Sequence, residues 1–345
     1  MNLSSFLTAL TDFLNQQKIP YAFARNHKDL PDHKESGDID LVVPPQAIET
    51  IIDWLLDHKE IKFLNRQNRS YVVNTMLGGI NWGKDQQYHA LQLDLLHRFR
   101  YKGIDFLKFD DIKDGISSAD NQPGYIRTLT RSDQFILTFF SALITGGQVK
   151  DRYWRQWRDL FSKDLPMAQK SRLHLENNFG EKITAALIKR ISGDQRAQLY
   201  DMLPKLRSAF LWRKLKEKGP LAFFYMAAHY GREILLMLSA RHTFTAELPI
   251  NDTQDDIVQL SAQMTHAAKK IDHWHNPHIF RWWFFRHFSR QTHLLLLTGQ
   301  DPENYFGMPP DIILPQKDLT KNSGELRDLI FQAMQNRQMG YERHL

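Results

Sequence analysis

The chain has 345 residues, of which 24% are charged and 42% are apolar, so its composition is that of an ordinary globular protein and its length suggests two domains. It contains no cysteine, which excludes disulfides, iron–sulfur clusters and thiol nucleophiles and fits a reducing compartment. The N-terminus shows no basic segment followed by an uninterrupted apolar stretch, so we expect no secretory signal and a cytoplasmic protein.

The net charge of +6 is unevenly distributed along the chain. Residues 1–120 carry 14 Lys and Arg against 17 Asp and Glu, whereas the remaining residues carry 31 against 22. An acidic first part beside a basic second part indicates a joint site for a polyanion such as a nucleoside triphosphate. The alternative is that the basic residues lie on solvated helical faces.

The first 125 residues show the patterns of a small mixed α/β domain. Apolar residues at helical spacing after Ser4 and Ser5 predict an opening helix, and Pro44 and Pro45 predict the start of a second one. Strands are predicted at 21–25, 38–43, 61–66, 71–77 and 88–96, with turns at Gly78-Gly79 and Trp82-Gly83.

The pattern becomes helical after residue 125. Helices are predicted at 132–145, 154–161, 182–191, 198–216, 221–240, 257–271 and 280–297. We therefore predict an α+β chain with a mixed-sheet domain at 1–125 and an all-α, basic domain for substrate or partner binding at 126–345.

Two aspartates lie two residues apart on the apolar strand 38–43. Side chains at i and i+2 share one face of a strand, so Asp38, Asp40 and Val42 face opposite to Ile39, Leu41 and Val43. Like charges held this close repel each other, and a bound divalent metal is the usual remedy. On the later strand 88–96, Asp94 and Gln92 form the polar face, which adds a third carboxylate.

The three aspartates and their apolar neighbours resemble the nucleotidyltransferase superfamily, which has the polymerase-β-like fold, over roughly the first 120 residues. Further features are similar to a branch found beside bacterial polysaccharide genes: Arg25-Asn26, Leu30-Pro31, Gly37 before Asp38, and Leu93-Asp94-Leu95 followed by 101–104. The superfamily usually has a Gly-Ser or Gly-Gly turn about ten residues before the first aspartate, where this chain has Phe23-Ala24-Arg25-Asn26.

This resemblance implies a Mg²⁺- or Mn²⁺-dependent enzyme that transfers a nucleoside monophosphate from an NTP, ATP among them, to a hydroxyl or phosphate acceptor. Asp38 and Asp40 would then hold both metal ions. Asp94 would complete the metal site on the acceptor side and help to deprotonate the acceptor. The polysaccharide-locus branch implies a sugar or glycan acceptor.

Further residues are candidates for nucleotide binding. Gly37 and Asn26 lie in the loop before the aspartates, and Lys150 and Tyr153 are three residues apart at the start of a predicted helix. Arg25 has two interpretations, a contact with phosphate or an ion pair with Asp32 or Glu35.

Two other functions are alternatives. The acceptor would be RNA if the basic second part binds nucleic acid, although no RNA-binding motif is recognisable. The chain would instead be an inactive binding or scaffold protein if the altered turn no longer binds phosphate. The aromatic and basic segment 281–288 fits helical core packing, a peripheral membrane contact or stacking on bases or sugars. The sequence leaves the base, the acceptor and the oligomeric state open.

Overall fold

The structure is a computed structural model. It describes residues 1–25, 27, 30–31, 38–68, 72–83, 88–118, 123–239, 243–247, 260–262, 264, 270–275, 293–298, 312–313 and 323–342. A mixed sheet forms first and a series of helices follows it, so the predicted α+β fold class is confirmed.

The first part of the chain forms a seven-stranded mixed sheet, in the order β3-β4-β5-β2-β1-β9-β8. Two short strands, β6 and β7, form a separate hairpin. The strands are β1 (Ala22–Phe23), β2 (Asp38–Val42), β3 (Phe63–Asn68), β4 (Val72–Trp82), β5 (Tyr88–Leu96), β6 (Phe99–Tyr101), β7 (Ile104–Leu107), β8 (Ser117–Ser118) and β9 (Arg127–Thr128).

Two helices cover one face of this sheet. Helix α1 (Leu3–Gln16) and helix α2 (Ile48–Asp57) bury their apolar stripes against Ile39, Leu41 and Val43 of the central strand region. The buried residues of α2 are Ile48, Ile51, Ile52 and Leu55. Helix α1 starts earlier than Ser4 because the side chain of Asn2 accepts a hydrogen bond from the amide of Ser5 at 2.8 Å and caps the helix.

The turn predicted at Gly78-Gly79 is wrong, because strand β4 continues through these residues to Trp82. The pairing register of β4 and β5 shifts between Gly78 and Trp82, as expected for a β-bulge. Gly79 has φ +94°, and a Cβ at this position would lie 2.4 Å from the carbonyl oxygen of Glu60. The glycine therefore serves a bulge rather than a strand end.

Helices dominate the chain from residue 131 to residue 239, as predicted. They are α3 (Arg131–Thr138), continued by a π-helical stretch (Phe139–Thr145), then α4 (Asp151–Lys163), α5 (Leu165–Phe179), α6 (Glu181–Ser192), α7 (Arg196–Asp201), α8 (Leu203–Lys218) and α9 (Leu221–Ser239). Their core joins the β6–β7 hairpin through Phe140, whose ring stacks on that of Phe106 with centroids 3.9 Å apart.

Within the predicted helix 257–271, residues 260–262 are helical but 270–271 belong to a strand, and residues 293–297 of the predicted helix 280–297 form a strand as well. A second, parallel sheet in the order β11-β12-β10-β13 contains β10 (Thr243–Glu247), β11 (Lys270–His275), β12 (His293–Thr298) and β13 (Ile312–Ile313). The run Leu294 to Leu297 is continuously apolar, which suits a strand of a parallel sheet as well as a buried helix. Helix α10 (Ser323–Glu342) ends the described chain.

The C-terminal helix α10 packs against the first sheet. Lys62 Nζ lies 2.7 Å from Asp328 Oδ2, and the side chain of Gln335 accepts the backbone N–H of Leu64 at 2.7 Å. Ile330 and Phe331 of α10 share an apolar cluster with Met76 and Ala90 of the sheet. No helix within the described ranges is long and apolar enough to cross a membrane.

Replacing Phe140 by Ala tests the join between the sheet domain and the helices. Phe140 is fully buried between Phe106, Phe179 and Phe210. Since the cavity would be lined by rigid rings, we expect Phe140→Ala to lower the free energy of unfolding by about 3–5 kcal/mol, measured by urea denaturation.

The control is Phe224→Ala, at a position where the side chain is 69% exposed. This variant should change the free energy of unfolding by less than about 0.5 kcal/mol. If the two substitutions lowered the free energy of unfolding equally, Phe140 would not be the residue that holds the hairpin on the helices.

Candidate active site

Strand β2 presents its two aspartates on the face of the sheet opposite to helices α1 and α2. Ile39 and Leu41 are buried in the core beneath those helices, so Asp38 and Asp40 lie on the other face. Val42, on the same face as the aspartates, packs into the core of the helical region. The face division that the sequence predicted is therefore correct.

The third aspartate is the direct neighbour of Asp40. Strands β2 and β5 are parallel, and their register pairs Asp40 with Asp94 and Asp38 with Gln92. Strand β4 then places Asn74 beside Asp94. Side chains of residues that are paired on neighbouring strands point to the same face of the sheet. The carboxylate patch therefore consists of Asp38, Asp40, Asn74, Gln92 and Asp94.

Arg25 forms a bidentate ion pair with Asp40. Its Nε donates to Asp40 Oδ2 at 2.8 Å, and its Nη2 donates to Asp40 Oδ1. Arg25 lies two residues after β1, which runs antiparallel to β2, and the amide of Ala24 donates to the carbonyl of Asp40 at 2.9 Å, so the chain passes Asp40 at this point. Arg25 therefore pairs with Asp40, whereas Asp32 and Glu35, the two partners that the sequence suggested, lie outside the described residues.

This ion pair is largely removed from solvent. The Asp40 side chain is 2% exposed and that of Arg25 is 29% exposed. Burial alone lowers the pKa of the Arg25 guanidinium, but attraction and hydrogen bonds from Asp40 raise that pKa above its usual value. Tyr153 and Asp94 raise the pKa of Arg25 further, although less than Asp40 does. Arg25 is thus a permanent cation at the centre of the carboxylate patch.

Two side-chain amides hold Asp94. Asn74 Nδ2 and Gln92 Nε2 each donate to Asp94 Oδ1 at 2.6 Å. Asn74 and Gln92 are themselves buried, at 5% and 3% exposure. Two hydrogen bonds to the same oxygen fix the direction of the carboxylate, so Asp94 is held in one orientation.

The carboxylate patch lies between two apolar clusters on the same face of the sheet. At one end, Val42 and Leu96 pack against the helical core. At the other end, Met76 and Ala90 pack against the C-terminal helix α10. The aspartates therefore lie in the strip of sheet between these two clusters, which we call the cleft.

The donor set suits a hard divalent cation in its chemistry, because Asp38, Asp40 and Asp94 supply only carboxylate oxygens. In the present arrangement both oxygens of Asp40 bond Arg25 and one oxygen of Asp94 accepts two amides. Within the part of the chain that the structure describes, no three His, Asp or Glu side chains are placed to hold a metal ion. While Arg25 bonds Asp40, its positive charge opposes a second cation at that carboxylate, so a metal ion at this patch would compete with Arg25.

The helical region contributes Tyr153 to this site. Tyr153 is 7% exposed and acts electrostatically on Arg25. The guanidinium of Arg152 lies 4.9 Å from the centre of the Tyr153 ring, and its buried Nε has no hydrogen-bond partner in the described structure. Lys150 lies at the exposed start of α4. Asn26 and Gly37 fall outside the described residues, as does the segment 281–288.

Sequence reasoning missed Asn74 and Arg152 as members of this site. The alternation of β4 and its pairing with β5 could have indicated Asn74, since it shares the face of Gln92 and Asp94. Arg152 was visible in the sequence beside Tyr153, but only the packing shows that its guanidinium lies on the Tyr153 ring.

Comparisons with known proteins give no family assignment. No protein-family model and no curated protein matches the chain. Two solved structures are similar at 11% sequence identity. The solution structure of the antibiotic-resistance factor ANT(2'')-Ia matches with a TM-score of 0.30, covering 57% of this chain and 93% of that one. The crystal structure of JHP933 from Helicobacter pylori matches with a TM-score of 0.28, covering 68% and 94%. Similarity this low supports no argument about function.

Removing Arg25 tests the ion pair at the centre of the patch. Arg25→Met leaves the Asp40 carboxylate buried without a cation, so we expect it to lower the free energy of unfolding by about 3–5 kcal/mol. Adding Asp40→Asn removes that unpaired charge and should restore part of the loss. Urea denaturation of the wild type, both single variants and the double variant measures the coupling between the two residues.

The matched control is the exposed pair of Lys163 and Asp159, which are 2.8 Å apart on α4. Lys163→Met should leave the unfolding midpoint unchanged. If the effects of Arg25→Met and Asp40→Asn simply add, the ion pair does not stabilise the site.

Proposed function

We propose that this chain is a nucleotidyltransferase that transfers a nucleoside monophosphate from an NTP to a hydroxyl or phosphate acceptor, with a sugar or glycan as the acceptor. The observation that carries the proposal is the register of β2 and β5, which sets Asp94 directly beside Asp40 with Asp38 on the same face. In such a reaction an acceptor oxygen bonds the α-phosphorus, and the bond from that phosphorus to the pyrophosphate oxygen breaks.

Each residue of the cleft has a proposed role in that chemistry. Asp38 and Asp40 would hold Mg²⁺ or Mn²⁺, which would neutralise charge on the phosphates when bound. Asp94 would take the proton of an acceptor hydroxyl, and its bonds from Asn74 and Gln92 keep it aimed into the cleft. Arg152 and Tyr153 line the same site from the helical side, where a guanidinium can contact phosphate oxygens.

A specific observation favours a second candidate, an inactive protein that binds a nucleotide without transferring it. The Arg25 guanidinium already provides the positive charge that the aspartates need, since it bonds both oxygens of Asp40. In that case the chain would bind an NTP or a partner at the cleft and release no pyrophosphate.

Transfer of label from each NTP tests the enzymatic function. The purified chain is incubated with α-labelled NTPs, Mg²⁺ or Mn²⁺, and separate sugar, glycan and RNA acceptors. We expect pyrophosphate release and a labelled acceptor, and a loss of roughly 100-fold or more in Asp38→Asn and Asp94→Asn. The control is Asp159→Asn, which changes an exposed aspartate on α4.

Binding of NTP with no transfer in any acceptor arm would support the inactive candidate instead. Label on RNA alone would assign the acceptor to nucleic acid, and the binding should then weaken steeply with salt. Transfer that is unaffected by the aspartate substitutions would overturn the proposed active site.

The Arg25–Asp40 pair makes a separate prediction about metal ions. Because Arg25 uses both Asp40 oxygens, Mn²⁺ should bind more tightly to Arg25→Met than to the wild type when no NTP is present. Electron paramagnetic resonance of Mn²⁺ measures this without any reaction. The double variant Arg25→Met, Asp40→Asn should bind Mn²⁺ no more tightly than the wild type. If it still binds Mn²⁺ as tightly as Arg25→Met does, Asp40 is not the metal ligand that Arg25 blocks.

A further inference from the structure

Large apolar side chains are concentrated on one outer corner of the helical region, between α8 and α9. Of the nine large apolar residues that are exposed in the described chain, six lie within 212–230. They are Trp212, Leu221, Phe223, Phe224, Tyr225 and Tyr230, with exposures of 46–69%. Scattered apolar residues at a surface are ordinary, but a group of this size on one corner marks a contact surface.

Helix α9 packs on the protein through a narrow stripe of residues on one of its faces. Ala222 is buried and Met226 packs against the helical core, one turn further along the same face. The turn between β6 and β7 also contacts the helix, since a Cβ on Gly103 would lie 2.6 Å from the carbonyl oxygen of Tyr225. The helix is therefore firmly seated while the phenylalanines on its other sides face outward. A helix that is apolar around most of its circumference is normally covered.

The second half of α8 carries mostly positive charges. The second half of α8 contains Arg213, Lys214, Lys216 and Lys218 with a single acidic residue, Glu217, which pairs with Lys214 at 2.9 Å. The Nζ atom of Lys216 lies 5.5 Å from the centre of the Trp212 ring. That of Lys218 lies 5.4 Å from the centre of the Tyr225 ring. The apolar surface is thus bordered by cations that stand beside aromatic rings.

We propose that the α8–α9 corner docks on the surface of an anionic lipid bilayer. Phe223 and Phe224 enter the boundary between headgroups and acyl chains, and Lys216 and Lys218 face the lipid phosphates. Trp and Tyr rings beside lysines, around a centre of Phe and Leu, are typical of helices that lie at this boundary. A bilayer also matches the excess of cations, because its anionic surface attracts each lysine independently of any specific partner geometry.

Co-sedimentation with lipid vesicles tests the proposal on the full chain. We expect binding to vesicles of phosphatidylcholine and phosphatidylglycerol, and much weaker binding to phosphatidylcholine alone. Phe223→Ser with Phe224→Ser should reduce the bound fraction on anionic vesicles at least about ten-fold, as should Lys216→Glu with Lys218→Glu. Thermal unfolding checks that both double variants remain folded, which their exposure makes the expected result.

The matched control is Leu165→Ser with Leu173→Ser, which removes two exposed leucines from α5, at 76% and 55% exposure. This variant should bind vesicles like the wild type. The proposal is wrong if the wild type binds neither kind of vesicle, or if the phenylalanine variant binds as well as the wild type. It is also wrong if light scattering shows that the wild type is a dimer and that the phenylalanine variant is a monomer. The corner would then be an interface between two copies of the chain.

Discussion

The ion pair between Arg25 and Asp40 is the interaction on which the rest of the cleft depends. Asp40 is almost fully buried, and a buried carboxylate without a cation is strongly destabilising, so the sheet can place an aspartate here only with a positive partner. The neighbouring Asp94 is in the same register and adds a second negative charge. Arg25, which follows β1, compensates the first charge, and the amides of Asn74 and Gln92 satisfy the second.

This arrangement defines what the cleft can do. Carboxylates on adjacent parallel strands form a rigid floor, because each is fixed by backbone pairing and by side-chain partners. Departure of the Arg25 side chain would leave the Asp40 carboxylate open to another cation. Tyr153 of the helical region lies near enough to Arg25 to influence its pKa, so residues from both parts of the chain surround this ion pair.

The outer α8–α9 corner and the cleft differ in the kind of interaction that each can make. The cleft concentrates buried charge, whereas the corner combines exposed aromatic rings with lysines that stay in water. The cleft is built mainly from residues of the first part of the chain, with Tyr153 from the second, whereas the corner lies wholly in the basic second part. The proposed membrane docking and the proposed nucleotide transfer therefore use different residues and can be tested by separate substitutions.

The sequence by itself determined the elements and faces that follow from local patterns. Period-two alternation placed Asp38 and Asp40 opposite Ile39 and Leu41, and helical spacing found α2 and most helices between 131 and 239. Only the tertiary structure decided which residues meet. The partner of Arg25, the register of Asp40 with Asp94 and the role of Asn74 depend on pairing between strands far apart in sequence. The strand at 293–298 was misread as a helix for the same reason, since a short apolar run takes its conformation from the neighbours that bury it.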